Sequence, residues 1–243
     1  DVKKVVIYNT VTTIGNFAFE GCSNMTTVEF YNSSNSSSLQ TIGQAAFYNC
    51  TALESVNFSN AKLTSLGEVA FWNCTSLTSV TLPTTLQTIG MQAFSGCTKL
   101  ASTNLSLLSN LTTIGNSAFW DCPLTSIDIP AKVASIGTSA FSPYKLTSIS
   151  VNSDNTVYEA VNNCLIKKPV SEGDFASLIV GSNQTSITIP DGVAIENSAF
   201  AGCNKIESLI FEGTYSIYQY AFSNCTSLKD ITIKSCTPRY FDK

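Results

Sequence analysis

Apolar and polar positions along the chain recur with a period near 23 residues. The dipeptide Ala-Phe occurs eight times, ending at Phe19, Phe47, Phe71, Phe94, Phe119, Phe141, Phe200 and Phe222. Five residues before each Phe stands Ile or Leu: Ile14, Ile42, Leu66, Ile89, Ile114, Ile136, Ile195 and Ile217. Gly follows six of these, with Glu196 and Tyr218 as the exceptions. Three residues after the Phe comes Cys in seven copies, and Tyr144 takes that slot in the sixth. Each copy ends in an alternating tail such as Leu77-Thr-Ser-Val80-Thr-Leu82 or Leu124-Thr-Ser-Ile127-Asp-Ile129. Alternation with period two predicts a short strand with one buried face. About 20 further residues must return the chain to a position one layer up, so each coil adds a parallel strand ~4.8 Å from the last. A single coil cannot bury its own apolar edge, but stacked neighbours make one continuous core.

A period of this length with L-x-x-V-x-L alternation falls in the leucine-rich-repeat class. The predicted fold is α/β: a right-handed leucine-rich-repeat solenoid, or horseshoe, with short parallel strands on its concave face. The run Leu86-Gln-Thr-Ile89-Gly90-Met-Gln-Ala93-Phe94-Ser-Gly-Cys97-Thr-Lys-Leu100 resembles the BspA-like, or Treponema-type, leucine-rich repeat. The resemblance covers nearly the whole chain. It implies a secreted or surface-attached protein of a host-associated microbe, acting as an adhesin for host extracellular proteins.

The chain reads as a single solenoid over 1–243: a first repeat block at 1–151, an irregular segment at 152–185 and a second block at 186–243. Within the irregular segment, a Pro-Val-Ser-Glu-Gly-Asp turn separates Val161–Lys168 from Phe175–Val180 and predicts an inserted β-hairpin. A polar insertion, Asn32 to Ser38, lengthens one coil. Thr103 replaces the usual Val or Ile of the fourth tail, which predicts a looser coil there. The looser coil and the hairpin are the expected sites of partial unfolding. The chain begins at Asp1 without an apolar leader, so any signal segment is expected to have been removed. Both ends lack capping patterns, as in a piece of a longer protein or one with short unconventional caps.

Composition narrows the chemistry. Hydrophobic residues make up 44% and charged residues 12%, so there is ample material for a core. A net charge of −4 disfavours a nucleic-acid partner. The absence of histidine removes His-based general bases and nucleophile pairs. No long apolar run predicts membrane insertion by this segment. Nine cysteines are present, seven in one repeat slot, and no C-x-x-C occurs. They read as a column of small buried residues with a weak donor, and neither a metal site nor a cofactor is expected. Cys164 and Cys236 lie outside the column, and the odd count leaves at least one thiol unpaired within the chain.

Two features are candidates for binding. Tyr48, Trp72 and Trp120 occupy the slot directly after Phe, and both tryptophans of the chain lie there. Either they pack on a neighbouring coil or they are exposed anchors for a protein or a sugar. Outward positions of the strands include Glu29, Asn57, Thr81, Asn104 and Asp128, beside a column of seven serines from Ser55 to Ser208. This face either solvates the sheet or meets a glycan or an extended peptide. The function expected is a non-enzymatic extracellular or cell-surface binding module that adheres to a host extracellular protein or glycan. The alternative is a passive spacer within a larger surface protein. The oligomeric state is left open.

Overall fold

A computed structural model describes residues 2–31, 37–171, 174–213 and 216–234. Most of the serine-rich insertion and Cys236 lie outside the described residues. The protein is a leucine-rich-repeat-like β-solenoid with two compact units, residues 1–142 and 143–243.

In the first unit the repeats build three stacked columns. The alternating tails form a four-stranded parallel sheet from Lys4–Tyr8, Thr27–Tyr31, Ser55–Asn57 and Ser79–Thr81. Val56 and Val80 face inward and are buried, while Ser55 and Ser79 face out. The Ile or Leu ahead of each Ala-Phe forms a second parallel sheet, of two-residue strands, from Thr13–Ile14 through Ser135–Ile136. Its register aligns Ile14, Ile42, Leu66, Ile89, Ile114 and Ile136. Thr and Ile are good strand formers, and here Ile takes the core while Thr takes the outer face.

The third column is the Ala-Phe turn. Phe47, Phe71, Phe94 and Phe119 are fully buried. Their rings stack in nearly parallel pairs, 4.9 Å apart between Phe47 and Phe71 and 5.3 Å in each of the next two pairs. Each Phe N–H donates to the Ala carbonyl of the next coil, as from Phe71 to Ala93 at 2.7 Å and from Phe94 to Ala118 at 2.8 Å. The residue two before Phe also bonds forward, with Val69 N donating to Met91 O at 2.8 Å. So does the residue two after it, with Asn73 N donating to Ser95 O at 2.8 Å.

This geometry forces the backbone into the left-handed region on both sides of the Phe. Two residues before it, φ is +53° at Ala45, +48° at Val69, +53° at Gln92 and +51° at Ser117. That conformation is unfavourable by roughly 1–2 kcal/mol per residue outside glycine, and the inter-coil bonds hold it. Two residues after Phe the column reads Gly21, Asn49, Asn73, Gly96, Asp121, Gly202 and Asn224, all at positive φ. Those are the residue types that tolerate this region best. The Gly after the second strand has another cause. A Cβ at Gly67 would fall less than 3 Å from the backbone of Gly43 and Gln44 in the preceding coil.

The α/β assignment is therefore corrected. Among the described residues there is no α-helix, only the 3-10 turns Leu105–Leu107 and Pro143–Lys145. The return segments cannot propagate a helix, because left-handed residues interrupt them and alternate N–H groups bond to the next coil. The fourth tail has no strand, yet it is not loosely packed. Leu105, Leu108 and Leu111 are all buried where the strand is replaced by the 3-10 turn.

The second unit contains the irregular segment. Tyr158–Val161 pairs antiparallel with Cys164–Lys167 across Asn162 and Asn163, both at positive φ, as a two-residue hairpin turn requires. Cys164–Lys167 also pairs antiparallel with Ala176–Val180, with a register shift between Leu165 and Ile166. From Ala176–Val180 the sheet continues in parallel to Val193–Ile195 and Ser216–Ile217. Ser186–Ile189, Ser208–Phe211 and Asp230–Ile233 form a separate parallel sheet. Cys164, Ile166 and Leu178 of the irregular segment share one core with Ile187, Ile195, Phe200 and Leu209 of the repeats.

Candidate functional site

The column after Phe brings two of the three sequence candidates together. The rings of Tyr48 and Trp72 stack 4.7 Å apart with planes 10° from parallel. Both are half-buried, so one part of each ring packs and the other meets solvent. Their positions are set by the backbone beneath them. Tyr48 O accepts from Gly21 N at 2.8 Å, and Trp72 O accepts from Asn49 N at 2.9 Å. The side chains of the next residues add a rung, with Asn73 Nδ2 donating to Asn49 Oδ1 at 2.8 Å. Trp120 is also half-buried but lies two coils beyond Trp72, and the coil between places Ser95 in the slot. The aromatic feature is thus a two-ring platform with a separate third ring. Such a platform presents flat apolar faces fixed on a rigid ladder.

The strand face is less uniform than its sequence suggests. Glu29, Asn57 and Asp128 are exposed, and Thr81 is half-exposed. Glu29 is engaged by Lys4 at 2.6 Å across the adjacent strand. Asn57 Oδ1 accepts from Ser59 N at 2.9 Å and so closes a local turn. Asn104 is corrected from a free outward residue to a structural one. Its Oδ1 accepts from Leu82 N at 3.0 Å and its Nδ2 donates to Leu82 O at 2.8 Å. The amide stands in for the missing fourth strand and satisfies backbone groups that would otherwise lose their ladder. The serine column is linked in at least one place, by Ser208 Oγ to Ser186 Oγ at 2.9 Å.

The cysteine column has no ligand geometry. Among the described residues no cluster of three or more potential metal ligands exists. Five of its thiols, Cys50, Cys74, Cys97, Cys122 and Cys225, instead bond back to the preceding coil. Cys74 Sγ donates to Phe47 O at 3.2 Å, Cys97 to Phe71 O at 3.2 Å and Cys122 to Phe94 O at 3.1 Å. Desolvation pushes the Cys50 and Cys164 thiols up to about 12, and it raises Cys74, Cys97 and Cys203 as well. Thiols held protonated in this way are poor nucleophiles and poor metal ligands. The column is a structural spine.

Sequence reasoning missed the residues that stitch the irregular segment. Asn183 is buried, and its Nδ2 donates to Tyr144 O at 2.6 Å while its Oδ1 accepts from Lys205 N at 2.8 Å. Asn155 Oδ1 accepts from Val157 N at 2.9 Å and from Tyr158 N at 2.7 Å. The one available signal was asparagine at period breaks, where a side-chain amide can replace a backbone partner.

Comparison with known proteins matches this geometry. The family described as the BspA type leucine-rich repeat region, in six copies, matches residues 1–106, 34–147, 64–178 and 176–242. A leucine-rich cell surface protein from Faecalibacterium prausnitzii is 34% identical with a TM-score of 0.85, over 95% of this chain and 60% of that one. The pneumococcal vaccine antigen PcpA has the same kind of fold at 20% identity and a TM-score of 0.61, over 95% of this chain and 50% of that one. A leucine-rich repeat protein from Eubacterium ventriosum is 24% identical with a TM-score of 0.50, over 75% of this chain and 60% of that one. This chain therefore spans about three fifths or less of the length of these relatives. No curated protein matches it. The chain belongs to the BspA-type leucine-rich-repeat family.

Proposed function

We propose that the chain is a non-enzymatic binding module of a bacterial cell surface, adhering to a host extracellular protein or glycan. The observation that carries this reading is the half-exposed Tyr48–Trp72 stack, held on a backbone ladder that fixes both rings. Rigid aromatic faces lose little entropy on binding and dominate interface energetics. Similarity to a leucine-rich cell surface protein supports the location. The lack of histidine and the protonated thiols support a non-catalytic role.

The test is binding of the purified chain to an array of extracellular-matrix proteins and glycans, with a Tyr48→Ala/Trp72→Ala variant beside it. A specific partner whose affinity falls at least ~10-fold in a variant that remains folded supports the proposal. Absence of any partner above background, or equal binding by the variant, overturns it in favour of a passive spacer. Trp120→Ala, distant from the stack, is expected to leave the same interaction within ~2-fold.

A further inference from the structure

The second unit carries a pocket of about 280 Å³ that the aromatic platform does not involve. Its floor follows from strand register. Lys167 pairs with Ser177, Ser177 with Ala194, and Ala194 with Ser216, so these four residues form one row across four strands. The next row along the same strands is Ile166, Leu178, Ile195 and Ile217, of which the first three point into the core. Side chains alternate along a strand, so the Lys167 row faces out. Phe175, two residues before Ser177, and Tyr218, two after Ser216, rise on the same side as walls. Phe175 is 36% exposed and Tyr218 50% exposed. Lys168 closes another side, with its ammonium donating one bond to Asn155 O at 3.0 Å. An ammonium has three donors, so two remain.

The lining is chemically uneven. Three small residues make a floor on which a ring can lie, two aromatic side chains flank it, and two serine hydroxyls border it. Among the described lining residues two ammonium groups face a single carboxylate, Asp174, which already accepts from Ser171 N at 3.1 Å. The pocket thus has a net positive charge in a chain whose overall charge is −4. Its volume lies just below the usual range of ligand sites, ~300 to 1,000 Å³, and suits one ring rather than a chain of them.

We propose that this pocket binds a single acidic sugar residue. The sugar's carboxylate meets the Lys167 and Lys168 ammonium groups, its ring packs against Tyr218 and Phe175, and its hydroxyls bond to Ser177 and Ser216. The inference is independent of the Tyr48–Trp72 platform, so either can fail alone.

The test is a nuclear magnetic resonance titration of the whole chain with N-acetylneuraminic acid, glucuronic acid and neutral N-acetylglucosamine. At least one acid is expected to shift the amides of Ser177, Ala194 and Ser216 with a dissociation constant near the millimolar range, and the neutral sugar to bind at least ~10-fold more weakly. Lys167→Ala/Lys168→Ala is expected to weaken the acid at least ~10-fold, and Lys167→Arg/Lys168→Arg to retain it within ~3-fold. Tyr48→Ala/Trp72→Ala is expected to leave the titration unchanged. Equal binding of acidic and neutral sugars, no shifts with either acid, or an alanine variant that folds and binds normally would overturn the proposal. So would tighter occupation of the same residues by a poly-glutamate peptide, which would assign the pocket to an acidic protein segment.

Discussion

In residues 1–142 the coils bond to one another through their backbones, whereas in residues 143–243 asparagine side chains close what the backbone leaves open. The first unit repeats the same set of forward bonds at Val69, Phe71 and Asn73 and again at Gln92, Phe94 and Gly96. The second unit keeps that set only where Ala199–Phe200 stacks on Ala221–Phe222. The parallel strands after the irregular segment still bond through their backbones, as Glu207 N does to Thr185 O at 2.8 Å, but around that segment Asn155, Asn162, Asn163 and Asn183 supply partners, as when Asn163 Oδ1 accepts from Ile149 N at 3.2 Å. The same device appears in the first unit at Asn104, where a strand is missing, and at the exposed turns of Asn16, Asn110 and Asn116, whose side chains bond to Gln44 N, Thr84 O and Thr138 N. Stacking in register lets identical backbone segments satisfy each other. A break in the period strands polar groups inside the protein, and a short amide with both a donor and an acceptor is the smallest repair.

The largest expected effect lies in the regular unit. Phe94→Ala removes a fully buried ring stacked on two neighbours and is expected to destabilise by about 3–5 kcal/mol, measured by urea denaturation. A loss below ~1 kcal/mol would remove that ring from the core account. The matching break in the second unit is Asn183→Ala, which removes the buried amide's bonds to Tyr144 O and Lys205 N and is expected to destabilise by about 2–3 kcal/mol. Gly67→Ala forces a methyl group into the backbone of the coil before it, with an expected loss of about 1–3 kcal/mol.

Alkaline titration sharpens the comparison without mutation. The Cys50 and Cys164 thiols stay protonated in the folded protein to about 12, while in the unfolded chain they ionise near their usual 9. The unfolded state therefore loses protons first. The thiols' contribution to stability is complete below pH 9 and is lost as pH rises from 9 to 12. The urea midpoint is expected to fall across that window, and replacing Cys50 with Ala is expected to flatten the fall. Glu29→Ala gives the smallest effect. Its ion pair with Lys4 is half-exposed and is expected to contribute less than ~1 kcal/mol, with the difference vanishing in high salt.

The repeat made the stacking order legible from sequence. Phe, Ile and Cys at fixed offsets identify three columns, and the structure places all three where stacked coils require. The return path was harder to read. Helical and turn-like returns both satisfy a 23-residue period. What separates them is the Gly, Asn or Asp two residues after Phe in seven of the eight copies, with Pro143 in the other, which signals left-handed backbone and stops a helix. The candidate site was legible in part. Tyr48 and Trp72 share a slot in adjacent coils and therefore stack, whereas Trp120 belongs to a coil too far along. Asn104 occupies an outward slot by spacing, but its amide turns to the Leu82 backbone because its own tail forms no strand to pair there. The basic pocket in the second unit arises from Lys167, Ser177, Ala194 and Ser216, which are 10, 17 and 22 residues apart. The antiparallel pairing of Lys167 with Ser177 and the parallel pairings of Ser177 with Ala194 and of Ala194 with Ser216 bring them into one row.

Site-resolved hydrogen exchange of the native chain compares backbone-held and asparagine-held bonds in one experiment, because it reads the local free energy of each inter-coil bond. The account predicts that the amides of Phe71, Asn73 and Phe94 exchange only through global opening. Those of Ile149, Val157 and Lys205, held by asparagine side chains, should exchange at least ~10-fold faster. Equal protection of the two sets, or slower exchange at the asparagine-held amides, would contradict it.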